Sequence, residues 1–213
     1  MAFLSSVADA ILRGLTARRL VFSAVLSVVA GWMHAAPATP AEYDIKAVFL
    51  LNFTRFIEWP ASGVDTENQP IVIGVLGDDP FGQGLDRAVH GERVNNRPIV
   101  VKRITRLDSP VNCAALFISR SERHRVGEIL ERLKGQPVLT VSDIPEFAEL
   151  GGMVGLVSEG GKIRLRINVD VAKAANLAIS SKLLRPAQIV STKKSSRFSL
   201  PLHRMLIANS MMR

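Results

Sequence analysis

Short apolar runs alternate with segments of helical periodicity along the middle of the chain, and this alternation is the feature that most constrains the fold. Four runs predict strands: residues 71–76, 97–104, 114–118 and 137–141. One helix is predicted through Leu85 and Val89, and a second begins at Ser121 and stops at Gly135. Continuous apolar runs such as 71–76 are typical of strands covered on both faces. The pattern therefore predicts an α/β fold with three layers, in which helices flank a mostly parallel sheet.

Two further helices are predicted on either side of this region. Residues 42–59 predict an amphipathic helix, which the Trp59-Pro60 step ends. Its core-facing stripe is predicted from spacings of three and four: Ile45, Val48, Phe49, Asn52, Phe53, Phe56 and Ile57. Residues 143–150 predict a short helix that Asp143 caps, with Pro145 in its first turn.

The last part of the predicted domain begins with a hairpin. Residues 153–157 and 162–167 flank a turn at 159–161, and the second arm alternates apolar and polar residues. We therefore expect an antiparallel hairpin at one edge of the sheet. Helical structure is expected again from Asn168 to Val190.

The first 41 residues predict a signal peptide and leader. Arg18 and Arg19 precede an apolar stretch over residues 20–30, which is too short to span a bilayer comfortably, and small residues follow at 35–41. Cleavage between 35 and 41 would release a protein into the periplasm with no stable membrane insertion. An uncleaved anchor or a core helix are the alternatives. The mature chain then divides into an α/β domain over 42–190 and a basic tail over 191–213 that is expected to be flexible, with a short helix predicted near 202–207.

The net charge of +8 suggests nucleic-acid binding until its distribution is considered. Residues 42–190 contain 19 basic and 18 acidic residues, so the excess lies in the leader and the tail. A nucleic-acid-binding domain usually carries a basic face or stripe. Nucleic acid is therefore excluded as a partner for the domain.

The usual signatures of catalysis or metal binding are missing from the sequence. No His pairs with another His, Cys or acid at ligand spacing, and no nucleophile elbow or phosphate loop is present. The protein is predicted not to be an enzyme and to need no cofactor and no metal. Cys113, the single cysteine, is interpreted as a buried thiol. Asp78 and Asp79 could hold Mg²⁺, but a turn with Asp79 as helix cap is the preferred interpretation.

Four segments, taken in order, resemble the YfiR-like periplasmic family. They are Lys46-Ala47 with Asn52-Phe53 and Trp59-Pro60, the turn at 77–82, the segment at 147–153, and Asn168 with Lys182-Leu183-Leu184. The resemblance covers about 42–190. It implies a periplasmic regulatory binding protein that represses an inner-membrane diguanylate cyclase through its periplasmic region, which lowers cyclic di-GMP and biofilm formation. Some members carry cysteine pairs, so disulfide-based control is doubtful in a chain with one cysteine.

A partner surface is predicted at two places, and self-association as a homodimer is considered alongside it. The end of the first helix offers aromatic anchors, and the glycine turn near 151 offers exposed backbone with an apolar neighbour. The predicted partner-binding residues are Phe56, Trp59, Pro60, Gly151, Gly152 and Met153. The alternative function is an envelope small-ligand-binding module that uses the turns at 77–82 and 151–152.

Overall fold

The computed structural model describes residues 39–60, 69–107 and 111–193. The predicted signal peptide and leader, apart from residues 39–41, and the tail beyond Lys193 lie outside the described residues, and the predictions made for them stay predictions. Most of the predicted domain, 42–190, is described.

The helices and strands alternate through the domain. The helices are α1 (Pro40–Phe56), α2 (Gln83–Val89), α3 (Val126–Leu133), α4 (Val169–Ala174) and α5 (Ser181–Leu184), with a 3-10 turn at Arg120–Arg125 before α3. The strands are β1 (Ile57–Glu58), β2 (Ile71–Leu76), β3 (Arg93–Val94), β4 (Arg97–Ile104), β5 (Ala115–Ile118), β6 (Leu139–Ser142), β7 (Val154–Glu159), β8 (Lys162–Ile167), β9 (Ala178–Ile179) and β10 (Gln188–Ile189).

One sheet of eight strands forms the centre of the domain, in the order β10-β8-β7-β6-β5-β2-β4-β3. The five central strands β4, β2, β5, β6 and β7 run parallel, with Val75 of β2 opposite Arg103 of β4 and Phe117 of β5. The β7–β8 hairpin and the β3–β4 pair are antiparallel, and β10 adds a parallel strand outside the hairpin. The predicted α/β fold with a mostly parallel sheet and an antiparallel hairpin is confirmed.

Helices cover both faces of this sheet because alternate strand residues point to opposite sides. On one side, Ile73, Val75 and Phe117 pack with the buried residues of α1 and α2. On the other side, Leu116 and Ile118 pack with the buried residues of α3. The three predicted layers are therefore present.

The face of α1 that enters the core differs from the predicted one. Ile45 and Val48, predicted as core, are 49% and 50% exposed. Phe53 and Ile57, also predicted as core, are buried, and the rest of the buried face carries Lys46, Ala47, Leu50, Leu51 and Thr54. The two faces have similar spacing, and the buried one contains a lysine, Lys46. An ion pair explains why that face is nevertheless buried.

Two of the predicted helices are also corrected. Residues 144–151 form bends and turns, and Glu146 has a positive φ of 58°. The Asp143 side chain binds Lys46 of α1, so it does not cap a helix. The segment after Asn168 is not one helical region. Two short helices alternate with β9, which pairs with β1, and with β10, which pairs with β8.

Candidate functional site

A buried ion pair joins α1 to the edge of the sheet where the parallel strands end. Lys46 lies in the second turn of α1, and Asp143 directly follows β6. Both side chains are fully buried, and the Lys46 Nζ lies 2.7 Å from the Asp143 Oδ2. Lys46 and Asp143 are 97 residues apart in sequence, so their contact joins two segments that are distant along the chain.

Asp143 is the centre of a cluster of polar groups around this pair. Its Oδ2 also accepts a hydrogen bond from the Tyr43 hydroxyl at 3.0 Å and lies 3.2 Å from the Arg120 Nε. Its Oδ1 is buried and has no hydrogen-bond partner among the described residues. Because a buried carboxylate is stable only when it is paired, these three donors explain why Asp143 can occupy this position.

Glu42 completes the ion-pair cluster, which we define as Glu42, Tyr43, Lys46, Arg120 and Asp143. Its Oε1 lies 2.5 Å from the Lys46 Nζ, and the Ser158 hydroxyl of β7 donates to the same oxygen at 2.5 Å. Partial burial pushes the pKa of Glu42 upward, but these hydrogen bonds and the charges of Lys46 and Arg120 outweigh it. The pKa of Glu42 therefore lies below its ordinary value.

Tyr43 links the cluster to the aromatic core. Its ring packs edge-on against Phe81 at 5.5 Å, and Phe81 packs edge-on against Phe117 at 4.7 Å. The Lys46 Nζ lies 4.4 Å from the centre of the Tyr43 ring. Burial, and after it the negative charge of Asp143, raises the pKa of Tyr43, so this hydroxyl stays protonated and keeps donating.

The ion-pair cluster is arranged to hold the domain together rather than to do chemistry on a substrate. Its two central groups, Lys46 and Asp143, are closed off from solvent, and two positive side chains balance two carboxylates. Sequence reasoning missed this cluster. The signal that could have found it is a lysine at a core spacing in α1 together with an aspartate at the end of a buried strand.

The turn at residues 77–82 is occupied by contacts within the protein. Asp79 accepts a hydrogen bond from the Phe81 backbone N–H, and its other oxygen lies 2.9 Å from the Arg103 Nε. Arg103 also binds Asp86. Asp79 therefore forms the predicted turn, although the residue before α2 is Gly82 and no side chain caps that helix. Within residues 39–60, 69–107 and 111–193, no three His, Cys, Asp or Glu side chains are grouped to hold a metal.

The first group of predicted partner-binding residues lies where α1 meets the start of the parallel strands. Phe56, Trp59 and Pro60 are each half-buried. The Trp59 indole N–H donates to the carbonyl of Ala114, the residue before β5, at 3.1 Å. Phe56 accepts a backbone hydrogen bond from Ser180 beside the β1–β9 pair. These side chains are anchored in the fold, and each still presents part of its surface to solvent.

The second group lies at the same end of the sheet, next to β7. Gly151 is half-buried and has a φ of +105°, which favours glycine, whereas Gly152 and Met153 are buried. A Cβ on Gly152 would lie 2.2 Å from the Phe147 ring, so the glycine allows that ring to pack. The structure brings the two groups to one end of the sheet, with β6 between the strands they adjoin. Gly152 and Met153 lie on the buried side of this turn. The neighbouring Leu150 is 50% exposed.

An apolar stripe on the outer side of α1 was not predicted as surface. We define the outer stripe as Ile45, Val48, Phe49, Asn52 and Phe56. Two of its members, Ile45 and Val48, are about half exposed, and the other three are half-buried. The spacing of three and four residues places all five along one side of the helix. The stripe leads towards Trp59. Phe49 and Phe56 also pack against the core, so Ile45 and Val48 are its most exposed apolar members.

Cys113 and two arginines of β8 lie outside these features. Cys113 is buried and forms no disulfide. Burial raises the pKa of its thiol to about 12, so the thiol stays protonated and unreactive. Arg166 pairs with Glu149 and Glu159 on the hairpin. Arg164 is exposed on the same strand face.

The fold and the site together define an open α/β domain whose polar cluster is structural and whose exposed features are apolar surfaces. Residues 43–188 match the sequence profile of the YfiR/HmsC-like family. The chain therefore belongs to this family, whose members are periplasmic regulatory proteins linked to diguanylate cyclases and not enzymes. No curated protein matches the chain. None of the helices in the described part of the chain is long and apolar enough to cross a bilayer.

Proposed function

We propose that this protein is a periplasmic regulatory binding protein that represses an inner-membrane diguanylate cyclase by contacting its periplasmic region. Repression would lower cyclic di-GMP and biofilm formation. The observation that carries the proposal is membership of the YfiR/HmsC-like family over 43–188, nearly the whole of the predicted domain.

The partner surface proposed here extends the predicted residues along α1. Phe56, Trp59 and Pro60 form one end of it, and the outer stripe continues it through Val48 to Ile45. A second part lies at the same end of the sheet, where Gly151 is half-buried and Leu150 supplies the exposed apolar side chain, while the buried Gly152 and Met153 support this turn. Apolar and aromatic side chains surrounded by polar residues are typical of the core of a protein interface.

A pull-down from solubilised membranes tests both the partner and the surface. The tagged mature chain should recover a membrane protein that contains a diguanylate cyclase domain. Val48→Asp should abolish this recovery, since a charge placed at the centre of an apolar interface typically weakens binding by about 2 kcal/mol or more, about 30-fold. Val48 is half exposed, so the substitution leaves the core intact.

Val100→Asp is the matched control for this experiment. Val100 is 39% exposed on β4, away from the outer stripe, so the same chemical change there should leave recovery unchanged. Equal recovery with Val48→Asp and the wild type would contradict the proposed surface. Unchanged cyclic di-GMP in a strain that lacks the gene would contradict the proposed function itself.

A further inference from the structure

An apolar groove lies between α3, α4 and the glycine turn, at the end of the sheet where the parallel strands begin. Its volume is about 300 Å³, and most of its lining is apolar. The side chains that matter here are Leu130, Leu150, Met153, Val171, Ala174 and Ala175. Leu150 is half exposed, and Ala174 is exposed on α4, so the groove is open to solvent at its rim.

The described chain ends at the rim of this groove. Val190 donates a backbone hydrogen bond to Ile167, and the Thr192 hydroxyl, which lines the groove, accepts one from the Asn168 side chain at 2.9 Å. The Lys193 backbone N–H then donates to Glu149, and its Nζ lies 2.7 Å from Glu146. These contacts hold Thr192 and Lys193, the last described residues, beside the 146–151 turn at the rim of the groove.

The sequence that follows has the composition to fill an apolar groove. Leu202, Met205, Leu206 and Met212 recur at spacings of three, four and seven, which is the pattern of one apolar helix face. Leu202 is the ninth residue after Lys193, and a fully extended chain of that length reaches about 30 Å. The apolar segment is therefore long enough and close enough to reach the groove.

We propose that residues 202–212 of the same chain occupy the groove between α3 and α4. The favoured occupant is the chain's own segment, and not a second copy or another protein, because a short linker gives a tethered segment an effective concentration on the order of millimolar. At that effective concentration, even a weak apolar contact between the segment and the groove is populated. The groove shares Leu150, Gly151 and Met153 with the second part of the proposed partner surface, so a bound segment would cover that part. The proposal itself concerns contacts within this chain, and its test does not require the partner.

Hydrogen–deuterium exchange on the full mature chain tests this proposal. Amides of residues 202–212 should exchange about 10-fold or more slowly than the same amides in an isolated peptide of residues 194–213. Ala174→Arg should remove that protection, because it places a long charged side chain at the opening. Ala174 is exposed, so unchanged slow exchange of β2 and β5 amides will show that the variant is folded.

Ala178→Arg is the matched control, since Ala178 is an exposed alanine in β9 outside the groove lining, and it should leave the protection intact. Peptide-like exchange of 202–212 in the wild type would overturn the proposal. So would protection that survives Ala174→Arg, which would place the segment elsewhere. Protection that disappears on dilution would assign the groove to a second copy and would overturn the assignment to the same chain.

Discussion

Lys46→Met removes one half of the buried ion pair and provides the most direct test of the role given to the cluster. Both side chains of the pair are fully closed to solvent, and their charged atoms are 2.7 Å apart. Removing one member of a buried pair typically costs about 3–5 kcal/mol, because the other charge stays buried without its partner. Asp143 keeps the Tyr43 hydroxyl and Arg120 as neighbours, so we expect the lower end, about 3 kcal/mol.

Urea unfolding followed by Trp59 fluorescence measures this loss. With a slope of about 2 kcal/mol per molar urea, a loss of about 3 kcal/mol lowers the midpoint by about 1.5 M. Arg55→Met is the control, because it removes an ion pair with Glu92 whose two side chains are each 39% exposed. An exposed pair of this kind contributes about 1 kcal/mol or less.

The double variant separates lost pairing from lost packing. Lys46→Met combined with Asp143→Leu removes both charges, and an apolar replacement for a buried pair is often nearly neutral. We expect the double variant to be more stable than the sum of the two single losses predicts, by about 2 kcal/mol. If Lys46→Met shifts the midpoint no more than Arg55→Met does, the argument that this pair holds α1 to the sheet is refuted.

Three further predictions follow from the same structure. The pKa of Glu42 is lowered in the folded protein, so this carboxylate stabilises the fold at pH values above its unfolded pKa of about 4.5. The contribution is lost as the pH falls through the lower pKa of the folded protein. The difference in stability between the wild type and Glu42→Gln should therefore shrink in urea titrations below pH 4.5. Gly152→Ala should destabilise the protein by about 1–3 kcal/mol in thermal unfolding, because the added Cβ would clash with the Phe147 ring. In the control, Gly160→Ala, the added Cβ has no neighbouring atom, so only the smaller cost of a positive φ is expected. Cys113 should resist thiol reagents at pH 8 in the folded protein and react after unfolding, since burial raises its pKa to about 12; rapid labelling of the native protein would contradict its buried position.

The strands and the hairpin could be predicted from the sequence because their signals are local. Continuous apolar runs mark β2 and β5, and the alternation over 162–167 marks the outer arm of the hairpin. Burial of Cys113 followed in the same way from its apolar neighbours. The family resemblance depended on motifs whose order along the chain is visible without any structure, and the match over 43–188 confirms it.

The candidate surfaces depend on contacts between residues that are far apart in the chain. Two faces of α1 have a helical spacing of apolar residues. The buried face carries Leu50 and Phe53, and the ion pair with Asp143, 97 residues away, allows Lys46 to be buried with them. That choice exposes Ile45 and Val48 and creates the outer stripe. The same contact draws Asp143 away from the helix that local signals predict at 143–150.

Glycine signals were also ambiguous without the tertiary structure. Gly151 and Gly152 look equally available in the sequence, but Phe147 packs against one of them, and the other takes a positive φ at the turn. The short strand β10 depends on pairing with β8, and this pairing brings Thr192 and Lys193 to the groove. Local patterns thus determined which segments are helices and strands in the sheet core. Long-range pairing of charges and strand edges decided which surfaces face solvent, because the energy of those contacts depends on partners that no local pattern contains.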